Sequence, residues 1–195
     1  MNDLITKGGP IIWPLLALSI ISFSVILERF FFYLRFKLKK DSFQLNRFIK
    51  LISTNKLTDA FQLIQSSKDP LLKTVFDSDI SSKTSFQVSF QHEATSLLNS
   101  IKRGLGIIDT AITLAPLLGL LGTVIGLINA FSSIGADQIT APVAITGGIS
   151  EALLATAYGL AIAIVCLIPF NMLVELESKT KEELEELGTA VESNL

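Results

Sequence analysis

Three long apolar runs alternate with stretches where apolar and polar residues recur at helical spacing. Between Lys7 and Glu28 lie 20 uncharged, mostly apolar residues. At 1.5 Å per residue that length crosses a hydrocarbon core of about 30 Å. It predicts a first transmembrane helix over residues 10–33, after a short segment at 1–9. Trp13 near one end and Phe30–Tyr33 near the other suit interfacial aromatic belts. Glu28 and Arg29 fall at the far end, within reach of the interface. The second run places 27 uncharged residues between Asp109 and Asp137. It predicts a helix over 107–133, with Asp109 at its cytoplasmic start. A short outer loop at 134–141 leads to the third run, predicted over 142–174. Glu151 is its one charge, and 23 uncharged residues follow it.

Residues 34–106 read differently. Leu57, Phe61 and Ile64 form one stripe; Phe90, Ala94, Leu97, Leu98, Ile101 and Leu105 form a longer one. Asp69–Pro70 predicts a helix start, with Asp69 as N-cap. The Ser/Lys/Thr run at 78–85 predicts a loop. Together these describe a small cytoplasmic helical subdomain whose stripes are core. In the tail, 175–195, Leu176, Leu184, Leu187 and Val191 extend a three-four stripe that begins at Leu173. The third helix is expected to continue into the cytoplasm and pack on the Phe90–Leu105 stripe. The fold class is all-α, with three membrane helices and long cytoplasmic helical extensions.

The stretch Leu114–Phe131 organises the rest. It is uncharged yet holds Pro116, Gly119, Gly122 and Gly126. Each glycine costs about 1 kcal/mol against alanine in a helix. In a membrane, small residues let helix backbones approach closely. The three glycines share one face, and Thr123 lies one turn from Gly119. Ala152, Ala155, Gly159 and Ala163 make a second small-residue face, which carries Thr156. Pro116 is expected to bend its helix. Either the two threonines bond carbonyls of their own helices, or they serve a polar path. With no second core to cover them, the two faces predict a closed ring of subunits.

Composition supports the membrane reading: 49% of residues are hydrophobic and 17% charged, and the mean hydropathy is +0.54. Arg35, Lys37, Lys39 and Lys40 follow the first run, which places that side in the cytoplasm and the N-terminus outside. From Arg35 to Arg103 there are 12 Lys/Arg against 6 Asp/Glu, and from Met172 to Leu195 there are 7 Glu against 2 Lys. Basic loop and acidic tail would attract each other. The run ERFFFYLRFKLKK after the first span is no signal-peptide cleavage site. Cys166 is the one cysteine and His92 the one histidine; neither forms a metal or disulfide pattern. No phosphate loop, nucleophile elbow or paired metal ligands occur. The chain is read as no enzyme, with no cofactor, no metal and no nucleic-acid partner. A proton pathway needs an ionisable relay, and threonine cannot supply one near neutral pH. The second run holds no carboxylate at mid-membrane depth and the third only Glu151, so the chain by itself lacks such a relay.

Two motifs carry a resemblance. APLLGLLGTVIGL at Ala115–Leu127 and GGISEALLATAYGLAIAI at Gly147–Ile164 resemble the core motifs of the MotA/TolQ/ExbB proton-channel family. The ERF run at Glu28–Phe30 and the three-span order resemble its ExbB/TolQ branch. The resemblance implies a homopentamer in the bacterial inner membrane, whose second and third helices enclose a pore. It implies that a dimer of an ExbD/TolR-type single-span protein threads the pore and carries the proton-binding aspartate. A TonB/TolA-type energy transducer is a further implied partner. The family's pore threonines match Thr123 and Thr156, its third-helix glutamate matches Glu151, and its second-helix proline matches Pro116. The family's Ile-Pro near the end of the third helix is Ile164–Val165 here, with Pro169 four residues after Val165. The implied function is an ion-motive-force motor subunit, for H⁺ or Na⁺, that energises outer-membrane transport or envelope maintenance. The alternative is a non-conducting oligomeric scaffold.

Overall fold

The computed structural model describes residues 9–54, 56–132 and 141–194. Among them are seven helices and no strand: α1 (Ile12–Lys39), α2 (Ser42–Ser53), α3 (Leu57–Ser66), α4 (Pro70–Phe76), α5 (Lys83–Lys102), α6 (Leu105–Ser132) and α7 (Ala141–Glu192). The expected outer loop lies almost wholly outside the described residues, as do residues 1–8 of the N-terminal segment. Three stretches are long and apolar enough to cross a membrane. They fall within Ile12–Lys39, Lys83–Ser132 and Thr146–Glu192. The described residues form two compact units: 9–28 with 104–171, and 29–103 with 172–194.

In the first unit, α6 buries Ile108, Ala111, Ala115, Gly119, Gly122, Gly126 and Ala130. On α7, Ala152, Ala155, Gly159 and Ala163 are buried. The two sets meet. A Cβ on Gly119 would lie 3.0 Å from the Thr156 Cα, and one on Gly126 would lie 2.8 Å from the Ala152 Cβ. A Cβ on Gly159 would overlap the Ala115 carbonyl oxygen. The small residues thus set the backbone approach of α6 to α7. The helix runs unbroken through Pro116, which has no N–H for the Ile112 carbonyl. On α1, Ser22 is buried and its hydroxyl contacts the Cys166 thiol of α7.

The second unit has a conventional apolar core. Phe48, Leu71, Leu72, Phe86, Ile101 and Leu187 are nearly inaccessible, which stabilises the unit by roughly 1.5–3 kcal/mol per large side chain. Gly188 lets α7 lie against the Phe90 ring, 2.7 Å from where a Cβ would stand. The acidic tail meets the basic loop through Lys40–Glu183 at 2.7 Å, Lys102–Glu177 at 3.2 Å and Lys83–Glu192 at 3.7 Å. These pairs are partly exposed, so each contributes about 0–1 kcal/mol.

Helix starts follow local chemistry. Asp69 caps α4, accepting from Leu71 N at 2.8 Å, with Pro70 in the first turn. Its second oxygen accepts from Asp41 N at 2.6 Å. Asp41 in turn caps α2, accepting from Phe43 N and Gln44 N. One buried carboxylate therefore fixes two helix starts. The α3 stripe differs from the expected one. Ala60 and Ile64 are buried and Phe61 is 41% exposed; the Leu57 side chain lies outside the described residues. Arg29 does not reach outward. It is 4% exposed, donates to the Ser100 carbonyl at 3.0 Å and stacks on Phe32. Ser100 lies in the last turn of α5, where unpaired carbonyls favour a cation.

Candidate channel face

The threonines at the middle of the first unit behave differently from each other. Thr123 is half-buried, and its hydroxyl donates to Leu120 O of its own helix at 2.6 Å. The Thr156 hydroxyl crosses to α6 and donates to Gly119 O at 2.9 Å. Self-bonding by both threonines is therefore not what the helices do. In an α-helix the carbonyl of Gly119 is the acceptor for the Thr123 N–H. Both threonines thus converge on one peptide group, and Gly119 lacks the side chain that would keep Thr156 away from it.

Glu151 sits toward the N-terminal end of α7. It lies five residues before Thr156, about 7.5 Å along α7, and about 140° away around it. Its carboxylate packs on the backbone of Gly9, where a Cβ would overlap it, and Gly9 has φ +66°. Glu151 and Thr156 therefore occupy different sides of α7. The sequence pattern groups them by motif and does not reveal this angular separation.

One sequence inference is corrected here. The small-residue faces of α6 and α7 were expected to lack a cover and so to demand a ring. They cover each other within one protomer, because complementary Gly and Ala rows bring the two backbones together. What remains outward in this unit is large and apolar: Leu117, Leu120, Val124, Ile128, Leu153, Leu160 and Ile164 are all at least 48% exposed. These surfaces suit lipid or neighbouring chains.

Two charged residues stand out in three dimensions in a way that pattern alone does not show. Arg29 was read as interfacial, because burial of an arginine depends on the distant Ser100 carbonyl. Asp109 was read as a boundary marker. It is exposed near the start of α6, and the helix register alone reveals its depth. Among the described residues no group of three or more His, Cys, Asp or Glu could hold a metal ion.

Three apolar spans, two of them closed on each other by small residues, define a multi-pass membrane protein. Comparison with known proteins makes this specific: residues 62–186 match the MotA/TolQ/ExbB proton channel family. The biopolymer transport protein ExbB-like 3 of Synechocystis sp. is 34% identical over 85% of this chain and 80% of its own length. The ExbB-like 1 protein of the same organism is 30% identical over 97% of this chain and 77% of its own length. The biopolymer transport protein ExbB of Salmonella typhimurium is 30% identical over 70% of this chain and 52% of its own length. The chain belongs to the MotA/TolQ/ExbB proton channel family, on its ExbB-like branch.

Proposed function

We propose that this chain is the ring-forming subunit of an inner-membrane motor that converts ion motive force into mechanical work on a partner. Its N-terminus faces outward and its helical extensions lie in the cytoplasm. Five copies enclose a pore lined by α6 and α7. A single-span partner of the ExbD/TolR type stands in that pore and supplies the carboxylate that binds and releases the ion. The work energises biopolymer transport across the outer membrane, as the names of the relatives suggest, or envelope maintenance.

The observation that carries this reading is the bond from Thr156 to the Gly119 carbonyl. It fixes the Thr156 hydroxyl against α6 at the level of Thr123, in the most apolar part of the helix pair. With their protons given to Leu120 O and Gly119 O, the two hydroxyls can accept hydrogen bonds from water or from a protonated carboxyl group, yet cannot titrate near neutral pH. The channel then needs the partner's acid for coupled flux. Glu151 marks the outer entrance, because a carboxylate left in lipid would cost several kcal/mol.

The same bond also fits a non-conducting scaffold, since both hydroxyls have acceptors inside one protomer. Substitution separates the two readings. In Thr123→Val with Thr156→Val the shape is kept and the hydroxyls are lost. A motor subunit carrying both changes still assembles, by native mass spectrometry, but no longer supports energised uptake in a growth assay. Full uptake by the double variant contradicts the channel reading and favours the scaffold.

A further inference from the structure

The contacts of α6 and α7 fix the depth of Asp109. Ala115 lies opposite Gly159 and Gly119 opposite Thr156. Six residues back along α6 and six onward along α7 bring Asp109 level with Val165–Cys166. Cys166 contacts Ser22 of α1. Glu28, the first charge of α1 in its chain direction, stands six residues past Ser22, about 9 Å further along the helix. Asp109 therefore lies about a turn and a half inside the charge-free layer and not at its edge. Its side chain is exposed on the protomer. A carboxylate at that depth that faced lipid would cost several kcal/mol, and intramembrane acids characteristically line water-filled paths.

Its direction around α6 points the same way. Asp109, Pro116 and Thr123 stand at i, i+7 and i+14, a line that drifts by only about 20° per seven residues. The line carries polar groups over its first two turns, and Leu120 occupies the turn before Thr123. Thr113, one turn from Asp109, donates to the Asp109 carbonyl at 3.2 Å and to Thr110 O at 3.1 Å. Pro116 offers no N–H to the Ile112 carbonyl, so that oxygen is open to water. Thr123 ends the line at the level of the Gly119 peptide.

We infer that Asp109 is the cytoplasm-side proton relay of this channel, an inference that rests on the conducting reading above. A proton that has passed the threonine level moves along water to the Asp109 carboxylate and makes the neutral acid. The acid then gives the proton to cytoplasmic water and returns to the carboxylate, so charge and protons balance over the cycle.

The test uses proteoliposomes holding the full chain with its single-span partner and a pH-sensitive dye. Asp109→Asn keeps shape but cannot take up a proton. It should assemble normally and lose proton flux by about tenfold or more, the scale of a positioned proton-transfer group. Asp109→Glu should restore most of that flux. Normal flux in Asp109→Asn, beside loss of flux in Thr123→Val, overturns the relay while leaving the channel reading intact. A wild-type complex without any proton flux overturns both. If Asp109→Asn fails to assemble, wild-type membranes treated with dicyclohexylcarbodiimide decide the matter through peptide mass. Modification of Asp109 that tracks loss of flux supports the relay; an unmodified Asp109 in a blocked channel overturns it.

Discussion

Gly159 illustrates how much of the membrane unit depends on single atoms. Its Cβ position overlaps the Ala115 carbonyl oxygen and stands 3.2 Å from the Gly119 Cα. Backbone cannot swing aside as a flexible side chain can. Gly159→Ala should therefore force α6 and α7 apart and cost about 1–3 kcal/mol. Gly106 is the control, because a Cβ there meets nothing within 4 Å. Gly106→Ala should leave stability unchanged or raise it by up to about 1 kcal/mol through helix propensity. Thermal unfolding in detergent compares the two; equal melting temperatures would contradict the packing account. At this scale, the sequence reveals which residues share a face but not what covers that face. Periodicity identified Gly119, Gly122 and Gly126 as one row, and the row's partner on α7 came from three-dimensional register. Asp109 bounds an apolar run in the sequence, and only the register of neighbouring helices supplies the depth scale on which the proposed relay rests.

At the scale of elements, helix starts were the most legible feature and helix ends the least. Asp69–Pro70 names its own cap, because the carboxylate accepts a backbone N–H and proline fits the first turn. Its second donor, the Asp41 N–H, lies 28 residues away, and no local pattern contains it. Asp69→Ala should remove a cap from α4 and strand the Asp41 N–H. The combined cost is about 2 kcal/mol or more. Hydrogen exchange checks it: the amides of Asp41 and Leu71 should lose protection together, while retained protection at Asp41 would refute the shared cap. The expected first span ends at 33, whereas α1 runs to Lys39; the third helix continues past 174 to Glu192, as the stripe from Leu173 to Val191 predicts. A change of solvent does not end a helix. Arg35, Lys37 and Lys39 are exposed side chains on a helix that continues without interruption, as are Glu175, Glu182, Glu185 and Glu186 in the tail. Thr180 sits in the tail's stripe, fully buried with its hydroxyl unpartnered, where a hydrophobic pattern shows only a gap between Leu176 and Leu184.

For the whole molecule, family and architecture were legible because the two core motifs and three apolar runs are local in sequence. The basis for assembly was not. Small-residue rows close the protomer, so the proposed ring draws on the outward apolar surfaces, and in that proposal it also shields Glu151 and Asp109 from lipid. The account's central claim is that this chain supplies a lined path and a partner supplies the carboxylate that makes it conduct. The most direct measurement is proton flux into liposomes of the wild-type ring, with and without its single-span partner, under one imposed pH difference. The account predicts little flux from the ring alone, and flux on adding the partner that disappears when the partner's membrane aspartate is replaced by asparagine. Equal flux with and without the partner would contradict it.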